Sequence, residues 1–379
     1  MEKKILFAAS TRSHLVHFHL PYLRALHEQG WTVHAAFGGP EGEVPWTDRV
    51  ISLPLEKKMT APGNFRAAAM VRRLVREQRY DAVIVHTSLA AFFVRLGLLG
   101  LKKRPAVINM VHGYLFDART SLLKRKLLLA AERLTAPVTD LLLTMNREDL
   151  DIAQRHRLGK KTACIPGIGV DFSRLDRDTD PAALRRALSI PDDAFVLLYP
   201  AEFSHRKSQH VLLRALTALP ANFTLVLPGS GDLLEECKTL AAALGVDRQV
   251  VFPGHVTDMA PWYAMADFAV SASRSEGLPF NIMEAMHCAL PVVASEVKGH
   301  RDLISPEHNG LLYPYGDWKA CAQQILRLAR EPDLAASLAR QAREDAEQYA
   351  LDRVFPQVME AYGILLSPLQ SIGVFDGAL

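Results

Sequence analysis

The sequence predicts an α/β protein with two parallel-sheet domains, and three observations predict it. Short apolar runs alternate with amphipathic stretches, the pattern of strands covered on both faces by crossover helices. The alternation pauses at residues 167–193, a stretch rich in Gly, Asp and Pro, and then starts again. At 379 residues the chain is too long for one ordinary core.

The first series opens with a strand at residues 4–9, a helix at about 20–29 and a strand at 32–37. Gly30 follows that helix as a residue that takes positive φ at little cost. Further strands are expected at 82–86, 106–111 and 141–145. The second series has strands at 195–199, 223–227, 250–252, 267–272 and 310–313. From residue 320 to about 365 the pattern is helical, with interruptions expected at Pro332 and Pro356. The expected domains are therefore residues 1–175 and 176–350.

Composition narrows the classes. Nearly half the residues are apolar and Gly and Pro are near average, so no long disordered region is indicated. Cys164, Cys237, Cys288 and Cys321 are scattered without a Cys-x-x-Cys pair, which argues against a disulfide framework or a zinc site and fits a reducing cytosol. The N-terminus lacks a signal-peptide pattern, and no apolar run reaches the roughly 18 to 20 residues that span a bilayer. A soluble or membrane-peripheral protein on the cytoplasmic side is expected.

The net charge of +3 conceals an asymmetry: through Ala130 there are 20 Lys and Arg against 9 Asp and Glu. Such polarity suits an anionic lipid surface or acceptor. The basic clusters at 102–104 and 124–126, beside apolar 92–101 and 127–129, are the expected contact; a merely solvated basic face is the alternative. Nucleic acid is disfavoured, because the basic residues lack interleaved aromatics or a binding motif.

The chemistry concentrates at residues 273–287. A buried strand precedes this stretch, and Pro279 sits where a first helical turn tolerates it, so Glu276 falls in the strand-to-helix loop and Glu284 on the helix. Ligands in open α/β sheets bind beyond the carboxyl ends of strands. The first-turn amides around Phe280 and Asn281 suit a phosphate, and carboxylates on either side suit hydroxyl groups. The pattern fits a phosphate flanked by sugars.

Glu276-Gly-Leu-Pro279, Glu284-Ala-Met286, Leu290 to Leu303 and Asn309-Gly-Leu-Leu312 together resemble the signature of retaining nucleotide-sugar glycosyltransferases. These have two Rossmann-like domains facing a central cleft, the GT-B class. The similarity is to the family 4-like branch that builds capsular polysaccharide, exopolysaccharide and lipid-linked oligosaccharide. The resemblance implies that Glu276 contacts the donor sugar and Glu284 the ribose diol, with Gly277 and Leu278 in the same loop. It also implies an acceptor-side first domain, a donor-binding second domain and a tail, 351–379, that packs back on the first.

Further residues follow by position. Lys207 matches the family lysine that neutralises the departing diphosphate. The family arginine position falls on Glu202, and Arg206 stands as its substitute. The turn Pro228-Gly-Ser-Gly231 lacks the third glycine of the dinucleotide fingerprint, so it is weak evidence for NAD. By resemblance, Gly229 and Gly231 line the nucleotide site, and backbone near His255 and Val256 holds the base. His112, in a His-Gly match, points at the donor sugar. The loop 10–19 departs from the glycine-rich loop of many relatives, leaving Arg12, His14 and His17 as acceptor-side candidates. His14, His17 and His19 lack an acidic ligand set, so no metal site is expected.

The resemblance implies transfer of a sugar from a nucleoside diphosphate donor, UDP-linked, to a glycan or polyprenyl-linked acceptor. No cofactor or divalent metal is implied. The Asp-x-Asp triplets at 149–151 and in 176–180 fall in a helical stretch and the linker. The alternatives are a nucleotide-sugar epimerase or hydrolase and a non-catalytic sugar-nucleotide-binding partner; the Glu-Gly-Leu-Pro signature disfavours the former and the intact candidate site the latter.

Overall fold

The computed structural model describes residues 3–117 and 119–366. Among these, the chain divides into two compact units: one takes in residues up to Thr144, Glu148–Ile168 and 355–366, the other Met145–Arg147 and Gly169–Val354.

The first unit carries a seven-stranded parallel sheet: β1 (Lys3–Thr11), β2 (Trp31–Gly38), β3 (Arg49–Leu53), β4 (Ala82–His86), β5 (Ala106–Val111), β6 (Leu141–Thr144) and β7 (Lys161–Cys164), in the order β3-β2-β1-β4-β5-β6-β7. Ile5 faces Val33 on one side and Ala82 on the other, so β1 is a central strand. Its Ile5 to Ala9 run is wholly buried, as a strand covered on both faces requires. The order reverses between β1 and β4, the point where such sheets open a crevice at their carboxyl ends.

The second unit repeats the plan with β8 (Phe195–Leu198), β9 (Phe223–Val226), β10 (Val250–Val251), β11 (Phe268–Ser271), β12 (Val292–Ser295) and β13 (Leu311–Tyr313), ordered β10-β9-β8-β11-β12-β13. Here the reversal lies between β8 and β11. Leu197, Leu225, Val270 and Val293 join Val211, Leu212 and Ile325 of the covering helices in one buried cluster. Both units are therefore Rossmann-like α/β layers.

Three expectations need correction. Residues 10–19 do not form an open loop: Arg12–Phe18 is helical, because the Thr11 side chain caps it by accepting from the His14 amide at 3.3 Å. Pro356 does not interrupt the last helix but lies inside Leu351–Leu366, at its sixth residue, and the helix runs on past the one missing amide donor. The apolar stretch 92–101 is not an exposed patch. Phe93 and Leu98 are buried in the helix Ser88–Leu98, and Phe93 meets Phe65 edge-on at 5.3 Å.

Within the first unit, Phe355 stacks on Tyr22 at 5.3 Å and Tyr362 meets it edge-on. The expected tail beyond residue 366 lies outside the described residues.

Candidate active site

In the second unit, the loops after β8 and β11 bring Lys207, Arg206 and Glu276 together at the reversal point of the sheet. The Arg274 amide donates to the Arg206 carbonyl at 2.7 Å, which ties the two loops. Lys207 Nζ donates to Glu276 Oε1 and Arg206 Nη1 to Glu276 Oε2, each at 2.6 Å. Ser208 supports the turn with a left-handed φ of 51°, and Tyr199, anchored to Ser273 Oγ at 2.8 Å, donates to the Lys207 carbonyl at 3.0 Å.

The electrostatics follow. Burial would raise the Glu276 carboxyl, but Lys207 and Arg206, with His300, outweigh it and hold the group down at about 2. Burial lowers the Lys207 ammonium against the pull of Glu276. Glu276 is thus a fixed carboxylate with two cations on it. Gly299 backs it at φ +80°, where a Cβ would lie 2.7 Å from the Gly277 carbonyl and 2.9 Å from Glu276 Cβ. Only glycine fits there.

Glu284 sits on the helix Phe280–His287, whose N-cap is Pro279. Its Oε2 accepts from Tyr263 Oη at 2.8 Å and its Oε1 from Arg174. Burial raises this carboxyl, and Arg174 and Tyr263 only partly offset the effect. The two glutamates therefore sit in opposite electrostatic settings. Asn281 at the start of that helix donates through Nδ2 to the Pro200 carbonyl at 3.1 Å, and the Gly277 carbonyl accepts from Asn146 at 3.1 Å. Leu278 is buried beside them.

Gly229 and Gly231 follow β9. The Ala201 amide donates to Pro228 and the Phe203 amide to Ser230, drawing two loops into contact. A Cβ on Gly229 would fall 2.0 Å from the Ala201 carbonyl oxygen, and one on Gly231 2.4 Å from that of Phe203. The Gly229 amide in turn donates to the Gly254 carbonyl at 2.7 Å, placing exposed His255 and half-buried Val256 on the adjoining turn. Glu202 is exposed, and its carbonyl accepts from Gln209.

The first-unit candidates separate. Arg12 Nε donates to the Glu43 carbonyl at 2.8 Å, and exposed His17 contacts the Ser13 carbonyl through Nδ1 at 2.7 Å. His14 and His112 instead gather with His19 and His86 at the carboxyl ends of β1, β4 and β5. Of the Asp-x-Asp residues, Asp149 is buried and accepts from the Tyr114 amide, while Asp176 accepts from His287 at 2.8 Å.

Comparison with known proteins gives the family. Residues 12–166 match the glycosyl transferase 4-like domain and residues 180–345 the glycosyl transferases group 1. EpsD of Bacillus subtilis, an assigned glycosyltransferase, is 31% identical over 370 residues, covering 96% of this chain and 97% of its own. The chain belongs to the group 1 glycosyltransferases. This glycosyltransferase also shares its fold with Anabaena HepE, solved with UDP-glucose (TM-score 0.78, 21% identity, 95% of this chain and 99% of that one). Sucrose-phosphate synthase of Thermosynechococcus elongatus is similar too (TM-score 0.80, 20% identity, 96% and 99%). Both likenesses place the glycosyltransferase in the GT-B architecture.

Arg174 and Tyr263, which hold Glu284, went unread in the sequence. Arg174 lies 110 residues from its partner in the Gly-, Asp- and Pro-rich stretch 167–193, and Tyr263 sits in a short helix, Ala260–Met265, with no motif around it. His86 went unread for the same reason: as the last residue of an apolar strand it looks structural.

Proposed function

We propose that this glycosyltransferase moves a sugar from a uridine diphosphate donor to a glycan or polyprenyl-linked acceptor, with retention, in the synthesis of a bacterial surface polysaccharide. The observation that carries the reading is Glu276 held ionised by Lys207 and Arg206, with Glu284 one helix away. An ionised, oriented carboxylate accepts hydrogen bonds from sugar hydroxyls. In this reading Glu284, which Tyr263 and Arg174 orient, accepts from the ribose diol.

The departing diphosphate gains negative charge, and cations fixed beside it stabilise that charge most where water is excluded. Lys207 and the half-exposed Arg206 fill this role, so the transfer runs without a divalent metal. His112 takes the donor sugar in this reading, and Arg12, His14 and His17 face the acceptor. HepE, a fold neighbour, binds UDP-glucose, which supports UDP as the nucleotide.

A lipid-linked acceptor fits one further surface. The helix Leu122–Thr135 exposes Leu122, Leu123, Leu127 and Leu134 with Lys124 and Lys126 among them. Apolar side chains interleaved with cations favour an anionic bilayer surface. No helix among the described residues is long and apolar enough to cross a membrane, so contact with the bilayer in this reading is peripheral.

Thermal shift and calorimetry against nucleoside diphosphates and a panel of their sugars test the reading. UDP and at least one UDP-sugar should bind, Glu284→Ala should weaken both, and Glu276→Ala should keep UDP while losing turnover. Wild-type transfer by both variants would overturn the assignment.

A further inference from the structure

Four histidines that are scattered in the sequence meet in the first unit. His14 lies on the helix Arg12–Phe18, His19 follows it, His86 ends β4 and His112 follows β5. One ring nitrogen from each lies within 4.8 Å of those of the other three. Two pairs are already closer: His14 Nε2 to His19 Nε2 at 3.2 Å, and His86 Nδ1 to His112 Nε2 at 3.1 Å. A tetrahedral ion bound at about 2.0–2.1 Å from each nitrogen sets neighbouring ligand nitrogens about 3.3–3.4 Å apart. Two edges of that tetrahedron are nearly met, and the other four are within about 1.5 Å of it.

The hydrogen bonding joins the four rings in two pairs and leaves a second nitrogen unsatisfied on His19 and His86. A neutral imidazole offers one N–H and one lone pair. The two close contacts use one nitrogen of each ring, and His19 Nδ1 and His86 Nε2, both fully buried, have no hydrogen-bond partner. Buried polar atoms without partners are uncommon and ask for an explanation. Imidazole nitrogens are a ligand type that first-row divalent cations favour.

The backbone supports the arrangement. Thr87, next to His86, has φ 63° and is held by Ser10, whose Oγ lies 2.5 Å from Thr87 Oγ1. A strained non-glycine residue persists only where its surroundings fix it. Phe7 stacks on His86 at 4.5 Å, fixing that ring from the core side.

We propose that His14, His19, His86 and His112 form a binding site for a first-row divalent cation of the zinc type, distinct from the Lys207–Glu276 cluster of the other unit. The site shares His14 and His112 with the acceptor and donor-sugar roles proposed above, so its test reads metal binding itself and not transfer. It departs from the expectation of no metal, which rested on the resemblance, on the placement of the Asp-x-Asp triplets and on the histidines near residue 14, and did not weigh those the sheet brings to them.

The test uses the full chain without a polyhistidine tag, stripped with chelator and titrated with Co2+ and then Zn2+. One equivalent of Co2+ should produce a saturable visible absorption of tetrahedral intensity, and Zn2+ should displace it. His19→Gln and His86→Gln should each weaken Co2+ binding by roughly tenfold or more, while His17→Gln leaves it unchanged. If a buried substitution prevents folding, as circular dichroism would show, His14→Gln at the half-buried edge replaces it and should give the same loss. Absence of a saturable absorption in the wild-type chain, or equal binding by the folded cluster variants, overturns the proposal.

Discussion

Lys207 donates to Glu276 across 2.6 Å with both side chains withdrawn from solvent. Removing one member of a buried pair costs about 3–5 kcal/mol because the other charge is left uncompensated. Arg206 still reaches Glu276, so Lys207→Ala should fall at or below the lower end of that range. Its larger effect should be on transfer, a loss of about 10²- to 10³-fold if the lysine stabilises the departing diphosphate. Thermal melts and steady-state rates on one preparation separate the two effects.

The two glutamates should give opposite responses to acid. Glu276 has a folded pKa of about 2, below its ordinary 4.5. Its contribution to stability is present above about pH 4.5 and is lost as the pH falls toward 2. Glu284 is raised, so its contribution is full below its ordinary value and is lost as the pH rises through the folded one. Glu276→Gln should therefore lower the melting temperature at pH 7 and flatten the acid limb. Glu284→Gln should leave it unchanged or higher while weakening nucleotide binding. Melting curves from pH 3 to pH 8 check both signs.

That opposition is only half legible in the sequence. The Glu276 to Glu284 segment is local, a strand end, a loop and one helix, so spacing alone puts both carboxylates near a helix start. What tunes them is not local. Tyr263 and Arg174 reach Glu284 from other elements, and His19 and His86 join His14 and His112 only because the sheet places β1, β4 and β5 side by side. The fold shows the same division. Strands buried on both faces, such as β1 and β5, read as apolar runs, whereas edge strands β3 and β7 carry Arg49, Ser52, Lys161 and Thr162 and do not; the buried β12 is missed too, inside a stretch read only for its motif. The helix at Arg12–Phe18 was hidden because its cap is one threonine without an apolar period.

Gly229 should tolerate no side chain. The Ala201 carbonyl oxygen, 2.0 Å from a would-be Cβ, is backbone and cannot swing away. Gly229→Ala should cost about 1–3 kcal/mol or more, a fall of several degrees in melting temperature for a domain of this size. Gly30→Ala, with open space around the added Cβ, should cost less, about 1 kcal/mol for its positive φ. Equal melting temperatures for the two variants would contradict the close approach.

Leu123 is 82% exposed and Leu127 69% exposed, flanking Lys124 and Lys126. The double variant Leu123→Glu, Leu127→Glu should keep the wild-type melting temperature, since neither side chain is packed. It should lose sedimentation with vesicles containing phosphatidylglycerol. Wild-type binding to those vesicles should weaken with salt, as screening of exposed charge requires. Binding equal to that of neutral vesicles would contradict the surface reading.

The central claim is that the Glu276 cluster holds a sugar nucleotide for transfer. It is tested most directly by following diphosphate release from a UDP-sugar that binds, with and without glycan or lipid-linked acceptors, and reading the anomeric configuration of the product by NMR. The account predicts release that requires acceptor, a product with the donor's configuration, and loss of release in Glu276→Ala with UDP binding intact. Release without acceptor, an inverted product, or undiminished release in Glu276→Ala would contradict it.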